Sequence, residues 1–293
     1  SLLAIIIFSA PVLLLGLERF SFAKAVQVMA VPALLLLVHI AYGFVVLSQA
    51  PNEFYPDVKL RLVQPAIDQK EKWDPDKEAE FMSRYVTLSD RDTGPGNNSA
   101  ASFTHIIWPE SAFPFILTRR RDQLSKIANL LPENGYLITG AMREEVGSGS
   151  PENPHIFNSM LMLNGNAEIV AAYDKTRLVP FGEFLPFQTQ LEQWGLQQLT
   201  QQRGGFKPGQ NRAVVNLERT PAFLPLICYE VIFSGRLHDQ SSRPLWIVNL
   251  TNDAWFGNSH GPAQHLEIAQ TRAKEFGLPV LRATNNGITA FIN

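Results

Sequence analysis

The sequence has a single cysteine, Cys228, among its 293 residues. One thiol cannot form an internal disulfide framework, and it cannot supply a multi-cysteine zinc site. A surplus of either charge is also missing: 25 basic residues stand against 27 acidic ones, for a formal net charge of −2. That balance excludes the basic footprint of a nucleic-acid-binding domain. Two common catalytic signatures are absent as well: the His-Glu-x-x-His zinc helix and the Gly-rich phosphate loop. No metal and no organic cofactor is implied.

Charge is nearly absent from the first fifty residues. Residues 1–17 are almost wholly apolar. A polar break follows, Glu18-Arg19-Phe20-Ser21-Phe22-Ala23-Lys24. Residues 25–47 are apolar again, with Gln27 and His39 as the polar exceptions. A membrane-crossing helix needs about 20 apolar residues. The second run reaches that length; the first falls slightly short and begins without an initiator methionine. Residues 1–50 therefore read as a transmembrane segment of two spans, the first truncated. A signal peptide fits poorly, because there is no basic leader and a second apolar run follows at once. Pro11 and Pro32 are tolerable inside membrane helices. Arg19 and Lys24 lie in the break, and residues 48–53 carry no base. The positive-inside rule then puts the break in the cytoplasm and the rest of the chain outside. His39 either has a role of its own or faces a neighbouring helix or cavity.

From residue 58 onward, short apolar runs alternate with polar helical patterns. The expected strands cover residues 58–63, 104–108, 136–141, 158–163, 169–173, 213–217, 222–227, 245–250, 280–283 and 288–292. The expected helices cover 76–90, after the start signal Asp74-Pro75, then 117–130 and 261–276. Asn164-Gly165-Asn166 marks a hairpin. Residues 91–102 and 147–154 read as loops from their Gly, Pro, Asn and Ser content. This alternation indicates an α/β domain over residues 51–293. The chain ends inside an apparent strand, so a longer parent protein is expected.

Three strand ends deliver a reactive side chain. Glu110 follows Ile106-Ile107-Trp108-Pro109. Lys175 follows Ala171-Ala172-Tyr173-Asp174. Cys228 follows Leu224-Pro225-Leu226-Ile227. Taken singly, each has a bland alternative: an inert core thiol, a surface carboxylate, a solvated lysine. The surrounding motifs decide between the readings. Trp-Pro-Glu-Ser at 108–111, Tyr-Asp-Lys-Thr-Arg-Leu-Val-Pro-Phe-Gly-Glu at 173–183 and Ile-Cys-Tyr-Glu at 227–230 occur in that order. Together they resemble the Glu-Lys-Cys signature of the nitrilase, or carbon–nitrogen hydrolase, superfamily. Asn249-Leu250-Thr251-Asn252-Asp253-Ala254-Trp255-Phe256-Gly257 resembles its membrane-bound apolipoprotein N-acyltransferase branch. The resemblance runs from about residue 50 to the end.

The chemistry explains why these residue types belong together. A free thiol titrates near 8.5 and is mostly protonated at neutral pH, so a nearby base is needed to make the thiolate. Glu110 is the candidate base, Lys175 the stabiliser of thiolate and oxyanion, and Cys228 the nucleophile. The backbone N–H of Tyr229 is a second candidate oxyanion donor. The resemblance implies the same three roles and a four-layer α-β-β-α sandwich preceded by transmembrane helices. It also implies a phospholipid acyl donor, a diacylglyceryl-cysteine lipoprotein as acceptor, and a multi-pass protein of the bacterial inner membrane with its catalytic domain in the periplasm. Glu183 and Glu230 match two further carboxylates of the pattern, with salt-bridging as the alternative role. The Tyr229 side chain either orients substrate or packs. Asn252 and Asp253 either tie loops around the pocket or make turns.

Large apolar side chains crowd the expected loops: Trp73, Phe181, Phe184, Leu185, Phe187, Trp194, Trp255 and Phe256. Some fill the core; the others suit an acyl-chain channel or a lid that dips into the membrane. Trp73, Phe181 and Trp255 are the substrate-binding candidates. Arg203, Arg212 and Arg236 are candidates for contact with lipid phosphate. Two competing functions stay open: a membrane-tethered amidase that uses water as acceptor, and an inactive membrane scaffold.

Overall fold

The computed structural model describes residues 2–12, 21–48, 54–93, 99–150, 153–200, 204–235 and 243–293. The chain divides into two compact units, Ser1–Tyr55 and Pro56–Asn293. In the first unit, α1 spans Leu2–Ser9 and α2 spans Phe22–Ser48. The 25 residues Phe22–Val46 of α2 have a mean hydropathy of 2.2, long and apolar enough to cross a membrane. Val31, Leu34, Leu37, Val38 and Phe44 are all exposed, so the helix is apolar on every side. His39 is exposed among them. Of the first expected span, α1 is described; residues 13–20, including Arg19, lie outside the described residues.

The second unit contains two five-stranded sheets. The first runs β1 (Leu60–Leu62), β2 (His105–Ile107), β3 (Tyr136–Ser150), β4 (Asn153–Leu163) and β5 (Ile169–Asp174) in that spatial order. Its first two pairings are parallel and its last two antiparallel. The second has the order β10-β9-β8-β7-β6, from β6 (Val215–Leu217), β7 (Thr220–Ile227), β8 (Trp246–Thr251), β9 (Val280–Thr284) and β10 (Ala290–Ile292). Here β7, β8 and β9 pair in parallel, and each outer strand is antiparallel. Strand β8 is buried at every residue, as a central parallel strand covered on both faces must be.

Period-two alternation places successive side chains in different cores. Ile107, Ile138, Met160, Met162 and Tyr173 meet Phe223, Ile227, Val248, Leu250 and Leu281 between the sheets. Their neighbours Ile106, Leu137, Leu161 and Leu163 face outward, against Phe81, Met82 and Tyr85 of α3 (Glu78–Asp90) and Ile127 of α4 (Arg121–Leu130). On the far side, Leu224, Leu226, Ile247 and Val280 pack on Ala269 and Ala273 of α6 (Gly261–Phe276). The short α5 (Gln188–Gln193) stands apart from these layers. The architecture is the expected α-β-β-α sandwich.

Three local readings need correction. Residues 147–150 and 153–154 are strand rather than loop. Strands β3 and β4 continue through them, pairing Gly149 with Pro154 and Ser150 with Asn153 after a register shift beyond Glu144. Glycine there marks an irregularity in the ladder rather than its end. Residues 151–152 lie outside the described residues. The helix expected over 117–130 breaks at Arg120 into a 3-10 turn, Leu117–Arg119, and α4. The helix expected from residue 76 starts with a 3-10 turn, Pro75–Lys77, whose Asp76 N–H is capped by the Asp74 carboxylate at 3.0 Å.

Candidate active site

The inter-sheet core turns polar at one end. Asn158 continues the inward series of Met160 and Met162 on β4. Lys175 stands two residues beyond inward-facing Tyr173 on β5, and Cys228 directly follows Ile227 on β7. Glu110 reaches the same place from β2. Its loop is wedged by Trp108, which is fully buried, packs tilted against Tyr85 with ring centroids 4.6 Å apart and donates its indole N–H to Ser89 Oγ at 2.9 Å. Beneath the loop runs Gly140. A Cβ there would lie 2.5 Å from Glu110 Cα, so only glycine lets the two backbones meet.

The structure brings Glu110, Lys175 and Cys228 into one cavity of about 490 Å³, together with Glu183 and Tyr229. Lys175 Nζ donates to Glu183 Oε1 at 3.0 Å and to Glu110 Oε1 at 3.4 Å. Asn158 Nδ2 donates to the same two oxygens, at 2.8 Å for Glu110 and 2.7 Å for Glu183. The other Glu183 oxygen accepts from Val179 N–H at 2.9 Å. Glu110, Glu183, Lys175 and Asn158 are all buried. Burial works against the Lys175 charge, but the carboxylates of Glu183 and Glu110 outweigh it and hold the ammonium well above the usual lysine range. Cys228 is half-buried. Burial first, and then the Glu110 charge, push its thiol up to about 12, against the opposing pull of Lys175 and a hydrogen bond with Thr251. The resting thiol is therefore protonated, with a buried carboxylate in the same cavity.

The backbone at Cys228 has φ +47°, a left-handed conformation that costs a non-glycine residue on the order of 1–3 kcal/mol. Glu230 holds this turn. It is completely buried and does not line the cavity. Its Oε1 accepts from Tyr173 Oη at 2.8 Å, Thr176 N at 2.8 Å, Thr176 Oγ1 at 2.9 Å and Arg177 N at 3.1 Å; its Oε2 accepts from Ile227 N at 2.9 Å. Glu230 thus clamps the cysteine turn to the loop that follows Lys175. On the other side, His265 places Nε2 3.3 Å from the Cys228 carbonyl oxygen and Nδ1 2.8 Å from Asp253 Oδ1. Arg282 donates to Asp253 Oδ2 at 2.7 Å. Asn252 caps a turn at Ala254 N–H and also donates to Gln69, while Asp253 joins His265 of α6 to Arg282 of β9.

The apolar candidates divide. Trp73, Trp255 and Phe256 line the cavity, with Leu199, Phe206, Ile232 and Ile268. Phe181 does not line it and is 59% exposed. Phe184 and Leu185 line a neighbouring cavity of about 510 Å³ that shares Phe206 and Tyr229 with the first. Phe187 and Trp194 are exposed. Arg212 is turned inward, donating to Thr176 Oγ1 at 2.8 Å; Arg203 and Arg236 lie outside the described residues. Sequence reasoning missed Asn158, His265 and Lys72, which also line the cavity. They sit on a strand, a helix and a turn, and no spacing in the sequence links them.

A four-layer sandwich with a carboxylate, an ammonium and a lone thiol at three strand ends is a nitrilase-type architecture. The model of the carbon–nitrogen hydrolase family matches residues 59–293, and the chain belongs to that family. It is 46% identical over 265 residues to an apolipoprotein N-acyltransferase of Bradyrhizobium diazoefficiens, covering 90% of this chain and 49% of that protein. It is 41% identical to the enzyme of that name in Rhodopseudomonas palustris and 40% identical to that of Brucella suis, in each case over 100% of this chain and 54% of the relative. The chain spans about half the length of these curated relatives. Among solved structures, a double mutant of the amidase from Nesterenkonia sp. AN1 in complex with acrylamide shares the fold, with a TM-score of 0.51, 15% identity, and coverage of 83% of this chain and 82% of that one.

Proposed function

We propose that this chain carries the catalytic unit of an N-acyltransferase that moves an acyl chain from a phospholipid to the N-terminal amine of a diacylglyceryl-cysteine lipoprotein. The observation that carries the reading is one cavity with two characters. Glu110, Lys175 and Cys228 converge at its polar end, and Trp73, Leu199, Ile232, Trp255 and Phe256 form apolar walls. The names of the curated relatives supply the substrate class. Helix α2 and the basic residues before and at its start support a site in the bacterial inner membrane, with the catalytic unit on the periplasmic side.

In the first step Glu110 takes the Cys228 proton, and the thiolate attacks the ester carbonyl. Lys175 and the backbone N–H of Tyr229 stabilise the oxyanion. Collapse breaks the ester C–O bond, Glu110 returns the proton to the leaving oxygen, and a lysophospholipid departs. In the second step the lipoprotein amine attacks the thioester. Its proton passes to Glu110 and then to the leaving Cys228 sulfur. Glu183 and Asn158 keep Lys175 and Glu110 in register throughout.

Mixing the protein with phospholipid should add one acyl mass to the intact chain, and Cys228→Ala should remove that adduct. A Cys228→Ala protein that still acylates lipoprotein would sink the reading. Release of free fatty acid in place of transfer to an added amine would favour an amidase-like hydrolase. No adduct and no turnover would favour an inactive scaffold.

A further inference from the structure

We propose that Lys72 is a second cation of the site, which balances negative charge on the Cys228 sulfur while Lys175 is held between two carboxylates. The proposal rests on the reading of Cys228 as nucleophile. Lys72 is only 2% exposed, on the turn between β1 and α3, and lines the same cavity as Glu110, Lys175 and Cys228. Its Nζ donates to the backbone oxygen of Glu110 at 3.3 Å, a neutral acceptor. Among the described residues it forms no ion pair, whereas Lys175 has two.

Burying an ammonium without an ion-pair partner is costly, so something must hold it there. The turn is locked by side-chain amides from the segments that follow β8 and β9. Ile67 N–H donates to Asn285 Oδ1 at 3.0 Å, and Ile67 O accepts from Asn285 Nδ2 at 2.9 Å and Asn286 Nδ2 at 2.8 Å. Asn252 Nδ2 donates to Gln69 Oε1 at 2.8 Å. Lys72 N–H closes the turn on Asp68 O at 3.0 Å. A rigid mount aims the side chain into the cavity instead of letting it reach solvent.

The charges of the site explain what the ammonium does there. Two carboxylates, Glu110 and Glu183, against the one ammonium of Lys175 leave the cluster at net −1. Moving the thiol proton to Glu110 leaves that total unchanged but concentrates negative charge on sulfur, and then on the oxyanion. With Lys72 charged, the cluster is neutral before and during the step, the condition a low-dielectric site favours. The titratable groups that line the cavity with Lys72 are Glu110, Cys228, Lys175, Glu183, Tyr229 and His265. Asp68, Lys70 and Glu71 on its own turn are exposed. Burial pushes Lys72 down to about 8, against the pull of Glu110 and Cys228, so it is charged at neutral pH and loses its charge just above.

The test is the pH profile of Cys228 alkylation by iodoacetamide, measured on the whole detergent-solubilised chain, alongside intact-mass detection of the acyl adduct. Lys72→Met should slow alkylation at neutral pH by about ten-fold or more and move the profile about one unit to higher pH. Lys72→Arg should stay within a few-fold of wild type at neutral pH and extend that rate past the pH at which wild type loses the lysine charge. Wild-type and Lys72→Met profiles that superimpose, with the adduct formed by both, would overturn the Lys72 proposal alone. Failure of wild type to form the adduct would overturn the nucleophile reading and this inference with it. Should Lys72→Met lose its native far-ultraviolet dichroism, Lys72→Gln, which keeps a hydrogen-bond donor without the charge, carries the same comparison.

Discussion

Glu230, two residues past Cys228, matches a carboxylate of the family pattern, with salt-bridging as its alternative role. Its five short hydrogen bonds make it a clamp between two loops. Both oxygens face donors, four at Oε1 and one at Oε2, so in Glu230→Gln the amide NH2 meets a donor whichever way it turns. We expect a loss of about 3 kcal/mol, read as a lower denaturation midpoint, with a fall in adduct formation that follows the disordered turn. Lys72 acts in the opposite direction on stability. Its pKa falls from 10.5 in the unfolded chain to about 8 in the folded one. Between those values the folded state has released a proton that the unfolded state keeps, so stability rises with pH across that window and is lost as pH falls through about 8. The depression corresponds to about 3 kcal/mol at neutral pH. Lys72→Met should therefore be more stable than wild type near pH 7, and chemical denaturation should show the advantage vanishing toward about pH 10.5. A constant difference at all pH values would contradict the buried-ammonium account. Glu110, Lys175 and Cys228 were legible because each sits inside a local motif. Lys72, Asn158 and His265 were not, because their convergence depends on a turn, a strand and a helix that share no spacing.

At the scale of elements, most strands were visible as apolar runs, since strands with a core on each face carry apolar residues at successive positions. Composition misled where the β3–β4 ladder crosses glycines and a proline, because cross-strand pairing can override local turn preference. Helix α5 was missed: a six-residue helix entered through Phe187 at φ +57° offers no periodic pattern to read. Gly140 shows how an element sets the site. Gly140 N–H donates to Pro109 O at 3.1 Å, and Ala112 N–H donates to Gly140 O at 2.8 Å, so β3 and the Glu110 loop are stitched on both sides of the glycine. A methyl group at Gly140 would meet Glu110 Cα and Ser111 N at 2.5 and 2.6 Å, both backbone atoms that can only yield together. Gly140→Ala should displace Glu110 by a fraction of an ångström or more and lower adduct formation by about 100-fold, while Cys228 stays open to alkylation. Equal adduct rates in the two proteins would show that Glu110 needs no such placement.

At the scale of the whole molecule, α2 poses a solvation problem that the described part of its own unit does not solve. Only 6% of its most apolar window is buried, and side chains such as Leu34, Leu37, Val38 and Phe44 stand exposed around its circumference. In water that surface drives aggregation; in a bilayer each of these side chains is matched by hydrocarbon, and the backbone is satisfied within the helix. Leu34 lies at the middle of Phe22–Val46, where an arginine costs about 2.5–3.5 kcal/mol to insert. One such change is within what a helix of this hydropathy tolerates; two on neighbouring turns are not. The wild-type chain should remain in the membrane pellet after alkaline carbonate extraction. Leu34→Arg should shift part of it to the supernatant, and Leu34→Arg with Val38→Arg most of it. If the double variant pelleted as fully as wild type, membrane attachment would have to come from elsewhere, and the exposed Phe181, Phe187 and Trp194 of the second unit would be the next surface to change.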